Sequence, residues 1–424
     1  MTNFADLFSK VIDATPDQVL PIVLQIFVGV FPIVLAVILF VIFWPIWVTY
    51  IRSEFHFKEK YTVLEIKLPK ETHKSPLSME IFLMSLHQTG GEGNWYDKYW
   101  LGKTRPWFSL EMVSIEGNVH FFIWTRSKNA SFISSSLYAQ YPGIEVHEVN
   151  DYTKSVHFDA KTMNIWGCEL ELTKPDPYPI KTYVDYGMDK DTKEEFRIDP
   201  IAPLIEFLGS IGSNQSIWIQ IVTRAHKKEH LKPGHWWKAT DKWKDEAQDE
   251  INKLMMRDPK TKAIKVVVTE DKQLTPKITK GEEEVITALE RSISKQGFDV
   301  GIRLMYIAKK ESFNPANIGG LTGSFKQFSS EHLNGFKPRG DKYSPSFSYP
   351  WQDYKEIRQN SMRKSLLEAY KRRSFFHDPV KGKVFVLNSE ELATIFHFPG
   401  QVSQTPTLSR IPSVKGDAPS NLPI

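Results

Sequence analysis

The chain has 424 residues, 41% hydrophobic and 25% charged, a globular composition long enough for two or three cores. A net charge of +4 is too mild to argue by itself for nucleic-acid binding. One cysteine, Cys168, excludes an internal disulfide framework and fits a reducing compartment.

Residues 1–20 form a short leading segment, and residues 21–51 read as a transmembrane helix. No charge occurs from Gln18 to Ile51, and the run PIVLQIFVGVFPIVLAVILFVIFWPIWVTYI is apolar for longer than a soluble helix needs. At about 1.5 Å per residue it exceeds a hydrocarbon core of roughly 30 Å, so it should tilt, kink near Pro32 or lie partly in the interface. Asp6, Asp13 and Asp17 precede it against Lys10 alone, whereas Arg52, Lys58 and Lys60 follow. The positive-inside rule then sets the N-terminus outside and the bulk of the chain in the cytoplasm, at the plasma membrane. The start lacks the basic region and small-residue cleavage site of a signal peptide. Trp44, Trp47, Tyr50 and Arg52 are the expected membrane anchors. Beyond Ile51 the net charge is +6, which suits a surface near anionic lipid.

After the span, TVLEIKL reads as a strand, SPLSMEIFLMSLHQT as a helix, PWFSLEMVSI and NVHFFIWTR as a hairpin through Glu116-Gly117, NASFISSSLYAQYP as a helix and GIEVHEV as a strand. This β-α-β-β-α-β order over residues 61–150 is the ferredoxin-like one. The loop Gly90 to Pro106, rich in Gly, Trp and Tyr, is its longest excursion. A second such unit is expected over residues 160–399. It would comprise MNIWGCELEL, PIAPLIEFLGSIG, QSIWIQIVTRA, FDVGIRLMYIA, a helix from about Asn314, and KVFVL as its last strand. Insertions at 226–297 and 333–382 interrupt it, the first with helices near DKWKDEAQDEINKLMM and GEEEVITALERSISK, the second with DYKEIRQNSMRKSLLEAYKRR. Lys128, Ser131 and Phe132 recur as Lys309, Ser312 and Phe313 after the third strand of each unit. The expected fold class is therefore α+β, a transmembrane helix followed by two ferredoxin-like units. In IWIQIV, Ile217, Ile219 and Ile221 share one face, which should lie against the helices.

Three stretches invite a chemical reading. HKKEH, His226 to His230, has the spelling of a zinc peptidase motif, with His235 as a third ligand; following a strand and preceding Pro233-Gly234, it reads as a solvated loop. Gly319 to Lys326 is glycine-rich but lacks the spacing of a phosphate loop. The run Tyr354 to Phe376 carries seven Lys or Arg against two Glu, with Tyr370, Phe375 and Phe376 close by, and reads as a solvated face open to lipid or nucleic acid. No nucleophile triad or paired carboxylates emerge, so neither a cofactor nor enzymatic activity is expected.

Near the C-terminus, Asn388 is a good N-cap and Glu391 completes a capping box, with Leu387 and Leu392 as a hydrophobic staple. Leu392, Ile395 and Phe396 share one side of this short helix, and Pro399 and Gly400 end it. Residues 400–424, studded with proline, are expected to be disordered. The stretch Leu387-Asn388-Ser389-Glu390-Glu391-Leu392-Ala393-Thr394-Ile395-Phe396-His397-Phe398-Pro399, followed by Thr405 to Arg410 and Ala418 to Pro423, comes after a single span and a repeated α+β region. This combination resembles the membrane-proximal, non-ATPase region associated with type IV secretion and conjugation coupling-protein ATPases (TraG-like, FtsK/HerA-like), a family of unknown biochemical role. The resemblance implies an accessory or scaffold protein that positions a separately encoded motor ATPase at the membrane. Glu391, Phe396, His397, Phe398, Pro399, Leu408 and Leu422 would then be the docking residues. Membrane lipid is a partner by virtue of the span, and self-association is left open. Two alternatives stand beside this reading: a membrane-anchored nucleic-acid-binding accessory acting through residues 354–376, and a zinc metallopeptidase acting through His226 and His230.

Overall fold

The uncharged run folds, in a computed structural model, as one helix, α1, Pro16–Lys58. Its 43 residues correspond to about 65 Å. It stays helical through Pro32 and Pro45 and runs past Ile51 into a polar end, so length takes up the excess over a bilayer core. The structure describes residues 16–69, 74–189, 198–231, 239–257, 267–269, 272–274, 278–339, 342–343, 347, 349 and 351–400. The chain divides into two units, Met1–Lys58 with Glu92–Thr104, and Glu59–Gly91 with Arg105–Ile424.

The larger unit is built on an antiparallel sheet. Its first half comprises β1 (Tyr61–Lys67), α2 (Pro76–Ser85), β2 (Trp107–Ile115), β3 (Asn118–Arg126), α4 (Ala130–Gln140) and β4 (Glu145–Val149). Between α2 and β2 the chain forms α3, Trp95–Tyr99, which belongs with α1 in the smaller unit. Ser75 caps α2 and Pro76 occupies its first turn, where a missing N–H costs nothing. β1 lies between β3 and β4, and β3 pairs with β2 across the Glu116-Gly117 hairpin.

The second half contains β5 (Met163–Leu172), α5 (Ala202–Gly209) and β6 (Gln215–Ala225). The first insertion follows, with the small ladder of β7 (His230–Leu231) and β8 (Ala239–Thr240), then α6 (Lys242–Leu254), the ladder of β9 (Val267–Thr269) and β10 (Lys272–Leu274), and α7 (Lys280–Ser294). Ile251 of α6 packs on Val285, Ile286 and Leu289 of α7. Next come β11 (Gly297–Lys309), α8 (Ala316–Gly323) and β12 (Phe336–Arg339), then the second insertion's α9 (Ile357–Arg372), β13 (Phe385–Asn388) and α10 (Ser389–Ile395).

The sheet runs β12-β5-β11-β6-β2-β3-β1-β4, with β13 paired to β11. KVFVL is therefore not the strand beside β5. That edge is taken by β12, which pairs Phe336 with Leu172 through to Arg339 with Glu169. Its lysine and proline suit an edge, where half the backbone groups face no neighbour. β11 is long enough to pair with β5 over residues 302–309 and with β13 over residues 297–300. The two halves join through β2 and β6, antiparallel from Trp107↔Arg224 to Ile115↔Ser216.

Ile217, Ile219 and Ile221 lie in the larger core with Phe82, Ile133, Leu204 and Leu392 of α2, α4, α5 and α10, as the alternation predicts. The opposite face is also covered: Trp218, Val222 and Met305 pack beneath Leu366, Leu367 and Tyr370 of α9 and against Phe375 and Phe376. A side chain at Gly301 of β11 would strike the Phe375 ring at 2.3 Å, so the close approach of the second insertion needs glycine there.

Candidate functional site

The polar end of α1 carries the predicted anchors. Trp44 stacks on Phe40 with ring centroids 5.6 Å apart and meets Tyr99 at 5.6 Å, and Trp47 meets Trp100 at 5.7 Å. Trp47 Nε1 donates to the Tyr99 carbonyl at 3.1 Å. Tyr50 is exposed and Arg52 is half-buried. The structure thus brings to these anchors a group absent from the predicted set, the loop around α3. Asn94 caps α3 by accepting from Asp97 N at 2.8 Å, and Lys103 Nζ reaches Asp97 at 2.9 Å. Gly102, at φ +63°, sits where a Cβ would lie 2.4 Å from the Ile51 carbonyl, so the loop and helix backbones touch. Between them is a cleft of about 330 Å3 lined by Ile51, Phe55, Trp100 and Leu101, with Lys58 and Lys103 at its rim. The asparagine cap and the aromatic density were the signals in the sequence that could have revealed this element.

The C-terminal helix is a buried one. Asn388 Oδ1 accepts from Glu391 N, and Glu391 Oε2 accepts from Asn388 N, both at 2.8 Å, which closes the predicted capping box. Glu391 Oε1 also accepts from Ile180 N at 2.8 Å. Burial pushes the Glu391 carboxyl up to about 8 against the pull of those two amides. Phe396 and Phe398 meet Phe121 edge-on at 6.0 and 5.3 Å. His397 bonds the Ala393 carbonyl at 2.9 Å and Asp199 at 3.0 Å. Burial raises the Asp199 carboxyl, but the His397 charge and hydrogen bond hold it below its ordinary value. Glu391, Phe396, His397, Phe398 and Pro399 are all buried, so their side chains are committed to the interior. Leu408 and Leu422 lie outside the described residues.

His226 is not solvated. Its Nδ1 is 2.6 Å from Asp299 and its Nε2 is 3.2 Å from Asp241, while Arg224 Nε donates to Asp299 at 2.9 Å. Burial opposes the imidazolium, yet the two carboxylates push His226 up to about 9. A metal ligand needs a neutral ring nitrogen with a free lone pair, and this ring is charged with both nitrogens engaged. Among the described residues no set of three His, Cys, Asp or Glu is arranged to hold a metal. His230 contributes its backbone to β7, and His235 lies outside the described residues.

A feature that sequence reasoning missed entirely runs across the sheet beneath α9. Glu111, Gln220, Arg303 and Glu169 occupy adjacent strands in direct register and are all buried. Arg303 donates from Nη1 to Gln220 Oε1 at 3.2 Å and from Nε to Glu169 Oε1 at 3.3 Å, and Gln220 Nε2 donates to Glu111 Oε1 at 3.2 Å. Arg373, just past α9, clamps Glu111 at 2.7 and 3.2 Å and Asp151 at 2.7 and 3.1 Å. Burial lowers the Arg303 guanidinium; Arg373, equally desolvated, is raised well above its ordinary value by Glu111 and Asp151. Gln220 and Arg303 also donate to the Tyr370 and Ala369 carbonyls, at 3.0 and 3.2 Å. Both lie in the last turn, where a helix leaves carbonyls without i+4 partners and its dipole favours a cation; the Tyr370 carbonyl also accepts from Arg373 N at 3.0 Å. The row therefore caps α9 and fastens the second insertion to the sheet. Of the basic run, Tyr370, Arg373, Phe375 and Phe376 are buried, while Tyr354, Lys355, Arg358, Lys364 and Arg372 remain exposed.

No curated protein matches this sequence. A family pattern described as a domain of unknown function (DUF8128) matches residues 53–410, starting in the polar end of α1 and taking in the sheet with all its covering helices. Since that match spans most of the 424 residues, the chain belongs to the DUF8128 family.

Proposed function

We propose that this chain is a single-pass membrane protein, with its N-terminus outside, whose cytoplasmic domain has no catalytic activity of its own and acts as a scaffold. In this reading it positions a separately encoded motor ATPase of a type IV secretion or conjugative DNA-transfer system. The observation that carries the anchoring is the apolar surface of α1, which is long and apolar enough to cross a membrane and whose most apolar eighteen-residue stretch has no buried residue. The scaffold role is supported by where the ionisable groups go: His226, Glu391, His397 and the Glu111–Arg303 row bond to one another and to the backbone, as framework does. We further read each half of the sheet as a ferredoxin-like unit, supported by the order β2-β3-β1-β4 in one and β6-β11-β5-β12 in the other. The system assignment rests on the resemblance of residues 387–399 and the tail beyond.

Two measurements test this. Cysteine-accessibility labelling in intact cells should reach a probe placed before Asp17 and miss one after Lys60; the reverse pattern overturns the topology. Deleting residues 401–424 should leave melting unchanged while abolishing co-purification with a phosphate-loop ATPase of the same system, because a proline-bearing segment with Leu408 and Leu422 can dock in a groove at small entropic cost. Full co-purification without the tail removes its docking role.

A further inference from the structure

We propose that the loop Glu92–Thr104 is a second membrane-contacting element, an aromatic foot that seats in the headgroup region of the lipid bilayer beside α1. The inference rests on the reading of α1 as a membrane span and adds to it a part of the chain that begins at Glu92, 34 residues after Lys58.

The loop exposes side chains that a water-facing loop does not need. Trp95 is 59% exposed, Tyr96 53%, Trp100 54% and Leu101 40%. Trp and Tyr concentrate at membrane interfaces because each has an apolar ring and one polar group that finds water or a headgroup. Their depth follows from contacts within the smaller unit. Tyr99 and Trp100 touch Trp44 and Trp47, so the foot sits level with the end of the apolar stretch of α1. On one side of that level residues 31–43 of α1 are all exposed and apolar, Phe40 and Phe43 among them; on the other it shows Glu54 and Lys58. The loop is held there by Trp47 Nε1 on the Tyr99 carbonyl and by the backbone contact at Gly102.

The cleft agrees with a lipid partner. Its lining is Ile51, Phe55, Trp100 and Leu101, with Lys58 paired to Glu54 at 2.6 Å and Lys103 paired to Asp97 at 2.9 Å. An apolar lining edged by solvated ion pairs matches the depth at which acyl chains give way to headgroups. A protein groove would have to meet the same aromatic surface at a level where α1 is already surrounded by lipid, so the bilayer is the occupant that needs no further component.

The test uses the full chain in vesicles of phosphatidylcholine and phosphatidylglycerol. Cys168 is buried and stays unlabelled in the folded protein, so single cysteines can be added at Trp95, Trp100, Phe40 and, as an aqueous reference, Lys161, and labelled with a nitroxide. Collisions with oxygen, which partitions into lipid, are compared with collisions with a nickel chelate, which does not. Labels at 95 and 100 should show an oxygen preference several-fold above that at 161, with position 40 higher still. If 95 and 100 match 161 while 40 stays immersed, the foot is overturned and the span stands. If 40 also matches 161, both fall. Labels at 95 and 100 shielded from both reagents mean that protein covers the loop, which also overturns the proposal.

Discussion

Helix α1 and the sheet invert each other's chemistry. The helix turns hydrocarbon outward, with Phe40 59% and Val41 64% exposed, whereas the sheet turns charge inward, with Glu111 and Arg303 at 0%. Each would be a liability in the other's place. An exposed apolar cylinder is stable only where the solvent is itself apolar, and a buried ion is tolerated where opposite charges and hydrogen bonds surround it, as they do along this row except at Arg303 Nη2 and Glu169 Oε2. The lesson is that exposure and burial have no fixed price in free energy; the surroundings decide the sign.

Removing one member of the buried network should break the comparison most severely. Arg373→Ala leaves Glu111 and Asp151 without their cation and should cost about 3–5 kcal/mol in denaturant unfolding. Pairing Arg373→Met with Glu111→Gln should recover part of that loss, since the second change removes the more deeply buried of the two stranded charges. A loss under about 1 kcal/mol for the single variant would mean that water reaches the row.

Placing a charge on the outward hydrocarbon probes the other side. Phe40→Arg should add about 2.5–3.5 kcal/mol to the free energy of membrane insertion, read by glycosylation mapping, and leave the melting of the sheet unit unchanged. Coincident loss of both would show that the two regions are not matched to separate environments.

His226 gives a pH-dependent test. Its folded pKa of about 9 lies above the ordinary 6.5, so the folded state holds the proton more tightly. The stabilisation is fully present below pH 6.5 and is lost as pH rises through 9, amounting to about 3 kcal/mol at most. Asp299 and Asp241 lie below their ordinary values, since their hydrogen bonds to His226 outweigh burial, so the cluster also weakens when they protonate in acid. His226→Gln should flatten the alkaline limb, followed by melting temperature against pH; a slope unchanged by the substitution would assign it to other groups.

The smallest effect belongs to a solvated cap. Thr279 Oγ1 accepts from Glu282 N at 3.3 Å, and Thr279→Ala should lower stability by about 1 kcal/mol in thermal melting.

What the sequence disclosed tracks what is local. The strands of the first half, the cap of α10 and the long apolar helix are legible because period-two alternation, Asn388 and an uncharged run each act within a few residues. β12 was hidden because FKPR is short, contains a proline and has no β-branched residue, while KVFVL is a β-branched apolar run and pairs elsewhere. The polar row was hidden for a deeper reason. In WFSLEMVSI, IWIQIV and GIRLMYI the polar residues Glu111, Gln220 and Arg303 among apolar neighbours look like the wet side of a strand. Only the register of four strands and the arrival of α9 some fifty residues later show that these positions are dry.

The joining of β2 to β6 has a consequence for synthesis. A hundred residues separate Ile115 from Gln215, so at the ribosome the β2 edge is finished long before its partner exists. At typical elongation rates that interval is roughly 5–20 s. During it a nine-residue strand presents unpaired backbone groups, the feature that lets one nascent chain stick to another. On the proposed reading of α1 as a membrane anchor, a chain tethered early waits out this interval fixed to one surface, where neighbouring ribosomes translating the same message are close. Its yield on overexpression should therefore fall with translation density before it falls with the stability of the finished protein.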